Sequence, residues 1–197
     1  MNRTETLTAI AEQLGIPIYE FDLYMHLDVQ QRGSMSYLID GQILYALVRA
    51  LQPDRVLELG THLGGSATHI AQALMDNGSG SLICVDINPL AGSEIPEALQ
   101  ALRVEIIIAD IDEYIRRPDV GGFDFIFEDG GHSEFQVHTI YERLDKLLAP
   151  GGVIVSHDAA VEGVRDFIAA GIRKGIGQDA PTYVIDPSPL GMTVYQR

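Results

Sequence analysis

The spacing of apolar residues changes character near residue 55. Before it the repeat is helical: Leu7, Ile10, Ala11 and Leu14 stand at i, i+3, i+4 and i+7, with Gly15 and Pro17 closing the segment. A second helix is expected over 21–31, and after Gly33-Ser34 a third over 36–51. The apolar face of that third helix comprises Leu38, Ile39, Ile43, Leu44, Leu47, Val48 and Leu51, and Pro53 stops it. Beyond residue 55 short apolar runs alternate with helical stretches. Strands are expected at 55–59, 81–86, 104–109, 123–128 and 152–156. Helices are expected at 65–75 and through Val137, Ile140, Tyr141, Leu144, Leu147 and Leu148 to Pro150. Unbroken apolar strands separated by helices predict a parallel sheet covered on both faces. Two β-rich runs, 182–185 and 192–195, flank Asp186-Pro187-Ser188-Pro189-Leu190-Gly191 and predict a closing antiparallel hairpin. The expected fold is therefore α/β: a doubly wound, mainly parallel seven-stranded sheet, with 1–52 as N-terminal helices and 53–197 as the core.

Composition narrows the partners. The 197 residues hold 13 Lys+Arg against 28 Asp+Glu, a net charge of −15, and the only lysines are Lys146 and Lys174. Binding to phosphate-rich surfaces needs clustered cations, so nucleic acid and anionic membranes are poor partners. The single cysteine, Cys84, lies in the apolar run Leu82-Ile83-Cys84-Val85 and reads as a buried small hydrophobe. The first residues, with Arg3, Glu5 and Glu12, lack the apolar core of a secretion signal, which leads to the expectation of a soluble, cytoplasmic protein.

In doubly wound sheets, ligands sit at the carboxyl ends of the strands. This sequence puts Glu58-Leu59-Gly60, Asp86, Asp110, Glu128-Asp129 and His157-Asp158 at those five ends. Any one of these acids could be a loop residue or a helix cap; together they suggest a site. The glycine-rich turn Gly60-Thr61-His62-Leu63-Gly64-Gly65-Ser66 would let a ligand approach the backbone. It lacks the middle glycine of G-x-G-x-x-G, where His62 stands, and no Walker lysine follows.

Val56-Leu57-Glu58-Leu59-Gly60-Thr61-His62-Leu63-Gly64-Gly65-Ser66 resembles motif I of class I S-adenosylmethionine (SAM)-dependent methyltransferases. Leu82 to Pro89 resembles motif II, Phe123 to His132 motif IV, and Leu147 to Asp158 the segment after it. The likeness covers roughly residues 36 to 197 and is strongest to small-molecule O-methyltransferases of the catechol and caffeoyl-coenzyme A type. It implies that Glu58, Gly60 and Ser66 surround the methionine part of the cofactor, with Thr61, Gly64 and Glu128 also at the cofactor. It further implies Asp86 at the ribose hydroxyls, Asp110 with Ile111 at the adenine edge, and Ile87 against the adenine face.

The same likeness implies Asp129, His157 and Asp158 as ligands of a divalent metal. The family has Asp-Asn or an acid pair where this chain has His157-Asp158, and an imidazole there shifts preference from Mg²⁺ towards Mn²⁺, Fe²⁺ or Zn²⁺. His132 stands where relatives have a lysine near the acceptor. With an ordinary pKa near 6.5, it is a candidate to take the acceptor's proton beside Asp129. Ser133 is the candidate cap of the following helix. His62 is expected at the cofactor through its backbone, His69 as half-buried packing and His138 as a solvated helix residue, while Tyr24, Met25, His26, Met35 and Tyr37 are candidates for the acceptor pocket.

The function so implied is methyl transfer from SAM to a hydroxyl of a small molecule, assisted by a divalent metal. A metal-independent N- or O-methyltransferase using His132, a noncatalytic SAM-binding module and, less favoured for want of the middle glycine, a nicotinamide-dependent oxidoreductase stay open. A homodimer is common among such enzymes, but no long apolar extension argues for one, and the acceptor itself is not readable.

Overall fold

Five apolar runs form the parallel part of one sheet because side chains on both of their faces find helices to pack against. In the computed structural model, which describes residues 29–130, 133–159, 164–175, 182–185 and 191–197, these are β1 (Arg55–Leu59), β2 (Ser81–Asp86), β3 (Val104–Ile108), β4 (Phe123–Glu128) and β5 (Leu148–Ser156). β6 (Thr182–Ile185) and β7 (Met192–Gln196) complete a seven-stranded sheet of order β3-β2-β1-β4-β5-β7-β6. β1 pairs in parallel with both β2 and β4, whereas β7 runs antiparallel between β5 and β6. The expected doubly wound sheet and its closing hairpin are therefore present. Residues 7–14, most of the helix expected at 21–31, Tyr24, Met25, His26, His132 and the hairpin turn 186–190 lie outside the described residues.

The chain leaves β1 towards β2 and β3 on one side and returns to β4 and β5 on the other. A crevice opens at that reversal, beyond the carboxyl ends of β1 and β4. Two cores flank the sheet. On one face Leu74, Cys84, Phe125, Phe127 and Val155 pack with Ile43, Leu44, Leu47 and Val48 of α1 (Val29–Leu51); on the other Leu57, Leu59, Ile126 and Ile154 pack with Ile140, Tyr141 and Ile168. Burying each such large side chain contributes about 1.5–3 kcal/mol.

Two helical expectations are corrected. Instead of breaking at Gly33-Ser34, α1 runs unbroken over 23 residues. An interior glycine costs a helix only about 1 kcal/mol, and the apolar residues from Ile43 to Val48 anchor the rest. The helix after β4 divides into α5 (Glu134–Tyr141) and a single turn, α6 (Leu144–Leu147), and Leu148 already belongs to β5, opposite Phe123. Between them the chain turns at Arg143, whose Nε donates to the carbonyl of Ile115 at 2.8 Å. Two short helices, α3 (Glu97–Arg103) and α4 (Ile111–Ile115), were not anticipated, nor was the longer α7 (Val164–Gly175). It packs on α5, and a Cβ on Gly171 would stand 2.9 Å from the Tyr141 ring.

α2 (Gly65–Asn77) starts after Gly64 and ends at Gly78, both with left-handed backbone. It is held close to α1 because Gly41 faces the half-buried ring of His69: a Cβ there would meet Cδ2 at 2.1 Å. Gly41→Ala should therefore cost about 1–3 kcal/mol in a denaturant titration, and much less in a His69→Ala background. Equal costs in both backgrounds would show that this contact does not set the helix spacing. Among the described residues no helix is long and apolar enough to cross a membrane.

Candidate active site

The crevice holds a cavity of about 510 Å³ walled by Gly60, His62, Asp86, Ile87, Asp110, Ile111, Asp129, Gly130, Gln136, His157 and Asp158. Strand ends supply this wall because the ladder continues one residue past each strand. The Gly60 amide donates to the carbonyl of Val85 at 2.9 Å, that of Asp129 to Leu59 at 2.8 Å, and that of His157 to Glu128 at 2.9 Å. Gly60, at φ 92°, lies against the chain after β4, where a Cβ would come within 2.5 Å of the Asp129 carbonyl oxygen and Gly130 Cα. Four carboxylates, those of Asp86, Asp110, Asp129 and Asp158, face this one space.

Asp86 is fixed by two backbone donors. Its Oδ2 accepts the His62 amide at 2.7 Å and its Oδ1 the Asn88 amide at 2.8 Å. His62 reaches it from a left-handed conformation, φ 47°, at the position where the dinucleotide fingerprint has glycine. The loop after β2 is stitched to the same turn, since Gly92 donates to the His62 carbonyl at 2.9 Å. Ile87, 70% exposed, offers a flat apolar wall beside the carboxylate. Asp110 caps the short helix α4 (Ile111–Ile115), accepting the Glu113 amide at 3.1 Å, and still faces the cavity.

Several expected cofactor residues stand elsewhere. Glu58, Thr61, Gly64, Ser66 and Glu128 do not line the cavity. Glu58 is 0% exposed, accepts a short hydrogen bond from the Ser66 hydroxyl, and its other oxygen has no hydrogen-bond partner among the described residues. Burial pushes its carboxyl up to about 7, against the lowering effect of that hydroxyl. Glu128 is likewise buried. Gly64 is instead covered by Ile95, whose Cγ1 a Cβ would meet at 2.4 Å. Of these, Glu58 and Glu128 lie on strands, and their side chains are buried off the cavity. Ser133 caps α5 as expected, its Oγ accepting the Gln136 amide at 3.3 Å. His138 is part-buried with Nε2 shut off from solvent and unpartnered among the described residues, not solvated as expected, because α7 packs against this helix.

The densest chemistry is at His157. Its Nδ1 lies 3.1 Å from Asp129 Oδ1 and 3.2 Å from Asp158 Oδ1, and its Nε2 lies 2.9 Å from Asp40 Oδ2. Phe127 meets the imidazole edge-on, with centroids 6.2 Å apart. Burial alone would lower the imidazole's pKa, but hydrogen bonds to Asp129, Asp158 and Asp40 overcome it and hold it up at about 12. Asp158 is buried with left-handed backbone, φ 58°, an uncommon conformation that clusters at functional sites. Asp129, His157 and Asp158 each offer a ligand atom, all within 4.8 Å of one another. Three carboxylates around one imidazole leave an excess of negative charge even when the ring is protonated, so this donor set fits a divalent cation.

Sequence reasoning missed Gly130, Gln136 and Asp40. Asp40 had a legible signal: it stands four residues before Leu44, an acid on the apolar stripe of its helix.

The family model described as a methyltransferase domain matches residues 57–159. Catechol O-methyltransferase of Mus musculus is 29% identical over 137 residues, 66% of this chain and 51% of that protein, so the chain spans about half that relative's length. An SAH-bound methyltransferase of Podospora anserina superposes with a TM-score of 0.64 at 18% identity, covering 99% of this chain and 96% of the other. An O-methyltransferase of Streptomyces achromogenes, solved in complex with SAM, gives 0.56 at 21% identity, covering 98% and 88%.

Proposed function

Since this chain belongs to the family of methyltransferase domains, we propose that it transfers a methyl group from SAM to a hydroxyl oxygen of a small molecule, with the help of a divalent metal. The observation that carries the reading is the pairing, on one cavity wall, of the backbone-held Asp86 carboxylate with the Asp129–His157–Asp158 cluster.

SAM supplies an electrophilic methyl on a sulfonium; transfer makes an oxygen–carbon bond, breaks the sulfur–carbon bond to leave S-adenosylhomocysteine, and releases the hydroxyl proton. The residues of this chain bind, orient and take up that proton. Asp86, with both oxygens already oriented by backbone amides, keeps lone pairs for the paired ribose hydroxyls, while Ile87 and Ile111 suit the adenine faces. The acid-lined crevice favours the sulfonium charge. Asp129, His157 and Asp158 would hold the divalent ion, whose Lewis acidity lowers the pKa of an acceptor hydroxyl. His132, between the cavity-lining Gly130 and the α5 cap Ser133 in the chain, is the proposed acceptor of the proton. The segment 1–52 is read as covering the acceptor side, and the lone buried Cys84 accords with a cytoplasmic protein.

The motif II assignment is tested by Asp86→Ala, which would leave the ribose hydroxyls without their acceptor. S-adenosylhomocysteine affinity should fall by about 1–3 kcal/mol in calorimetry. An unchanged affinity would remove Asp86 from the cofactor site.

A further inference from the structure

The imidazole of His157 is gripped from two sides by parts of the chain far apart in sequence. On the cavity side Nδ1 faces Asp129 and Asp158; on the other side Nε2 meets Asp40, 117 residues away on α1, at 2.9 Å. Asp40 is 6% exposed and its Oδ1 has no hydrogen-bond partner among the described residues. A carboxylate buried on the apolar stripe of a helix costs stability unless a donor meets it, and the donor here is His157 Nε2–H. A histidine that gives one ring hydrogen to a carboxylate has its tautomer and plane fixed, so that when a cation displaces the hydrogen between Nδ1 and the carboxylates of Asp129 and Asp158, Nδ1 is the ligand atom.

We propose that Asp40 is the positioning residue of the metal centre: by accepting the Nε2–H of His157 it presents Nδ1, with Asp129 and Asp158, to one divalent ion. The resulting donor set of one imidazole nitrogen and two carboxylates favours Mn²⁺, Fe²⁺, Co²⁺ or Zn²⁺ over Mg²⁺, which prefers an all-oxygen shell. α1 thereby becomes part of the metal centre as well as a packing partner of α2. The inference rests on the metal-assisted reading above, and adds to it a residue outside the ligand set that fixes which imidazole nitrogen ligates.

Calorimetric titration of Mn²⁺ and Mg²⁺ into the purified, metal-stripped protein tests it. Mn²⁺ should bind the unaltered protein at least about tenfold more tightly than Mg²⁺. Asp40→Ala should weaken Mn²⁺ binding by about 10–100-fold and Mg²⁺ binding less. Asp40→Asn, whose carbonyl still accepts Nε2–H, should retain most of the Mn²⁺ affinity, and circular-dichroism melts establish that each variant is folded. In ¹⁵N-histidine-labelled, Zn²⁺-loaded protein, Nε2 should carry the hydrogen and Nδ1 the metal. Equal Mn²⁺ affinity in Asp40→Ala and the unaltered protein, or a spectrum with Nε2 as the metallated nitrogen, overturns the role of Asp40 alone. No ion uptake by the unaltered protein, or uptake indifferent to Asp129→Ala, overturns the metal reading and this inference together.

Discussion

Replacing Gly60 with alanine should destabilise the protein by about 2–5 kcal/mol, a large part of the 5–15 kcal/mol typical of a folded domain. Two costs add. At φ 92° an L side chain is strained, and its Cβ would lie 2.5 Å from the Asp129 carbonyl oxygen and from Gly130 Cα. These are backbone atoms, tied to the Leu59 carbonyl by the Asp129 amide at 2.8 Å, so relief requires separating the ends of β1 and β4. The same separation would open the cofactor wall. A melting temperature lowered by roughly 4–20 °C, together with weaker S-adenosylhomocysteine binding, is the expected outcome. Gly65→Ala is the contrasting case: no atom lies within 4 Å of its Cβ, and it opens a helix, so stability should hold or rise by up to about 1 kcal/mol. Equal effects at the two glycines would contradict the close approach of β1 and β4.

Removing the acids of the proposed metal cluster should abolish ion-dependent turnover while leaving the fold in place. Losing several kcal/mol of charge stabilisation in the transition state corresponds to a rate loss on the order of 10²–10⁴-fold. Asp129→Ala serves for the first ligand. At Asp158 the better variant is Gly, because glycine adopts the left-handed backbone, φ 58°, in which alanine would be strained, and carries no ligand atom, whereas an asparagine carbonyl could still hold the ion. Chelation of the unaltered protein should bring its rate down to that of the Asp129→Ala/Asp158→Gly variant and leave that variant unaffected. Full activity in the double variant would place the proton chemistry away from this cluster.

The strands were legible because their signal is local. The bounds of β1, β2 and β4 coincide with the apolar runs at 55–59, 81–86 and 123–128, which are buried by helices on both faces. The helices were less so. Gly33-Ser34 reads as a break, yet it lies inside α1, whose later residues dock into the core and carry the helix through. Val164 and Ile168 mark the buried face of α7, but Arg165, Asp166, Arg173 and Lys174 break up the apolar run in which such a helix would be noticed. In the site, Asp86, Asp110, Asp129 and Asp158 were readable as strand-end acids, because the topology carries every strand end to one crevice. Which side chains then face the crevice depends on pleat and packing: Glu58 and Glu128 are buried off the cavity although each sits at a strand end. The contact between Asp40 and His157 crosses 117 residues and forms only when α1 docks, so no local pattern specifies it.

The central claim is a cofactor pocket joined to a metal centre on the same wall, and calorimetry addresses both parts in one sequence. S-adenosylhomocysteine is titrated into metal-stripped protein, then Mn²⁺ into the complex, for the unaltered chain and for Asp129→Ala/Asp158→Gly. The account predicts saturable S-adenosylhomocysteine binding in both proteins and a Mn²⁺ response in the unaltered chain alone. Absence of S-adenosylhomocysteine binding in the unaltered chain, or a Mn²⁺ response that survives the loss of both acids, would contradict it.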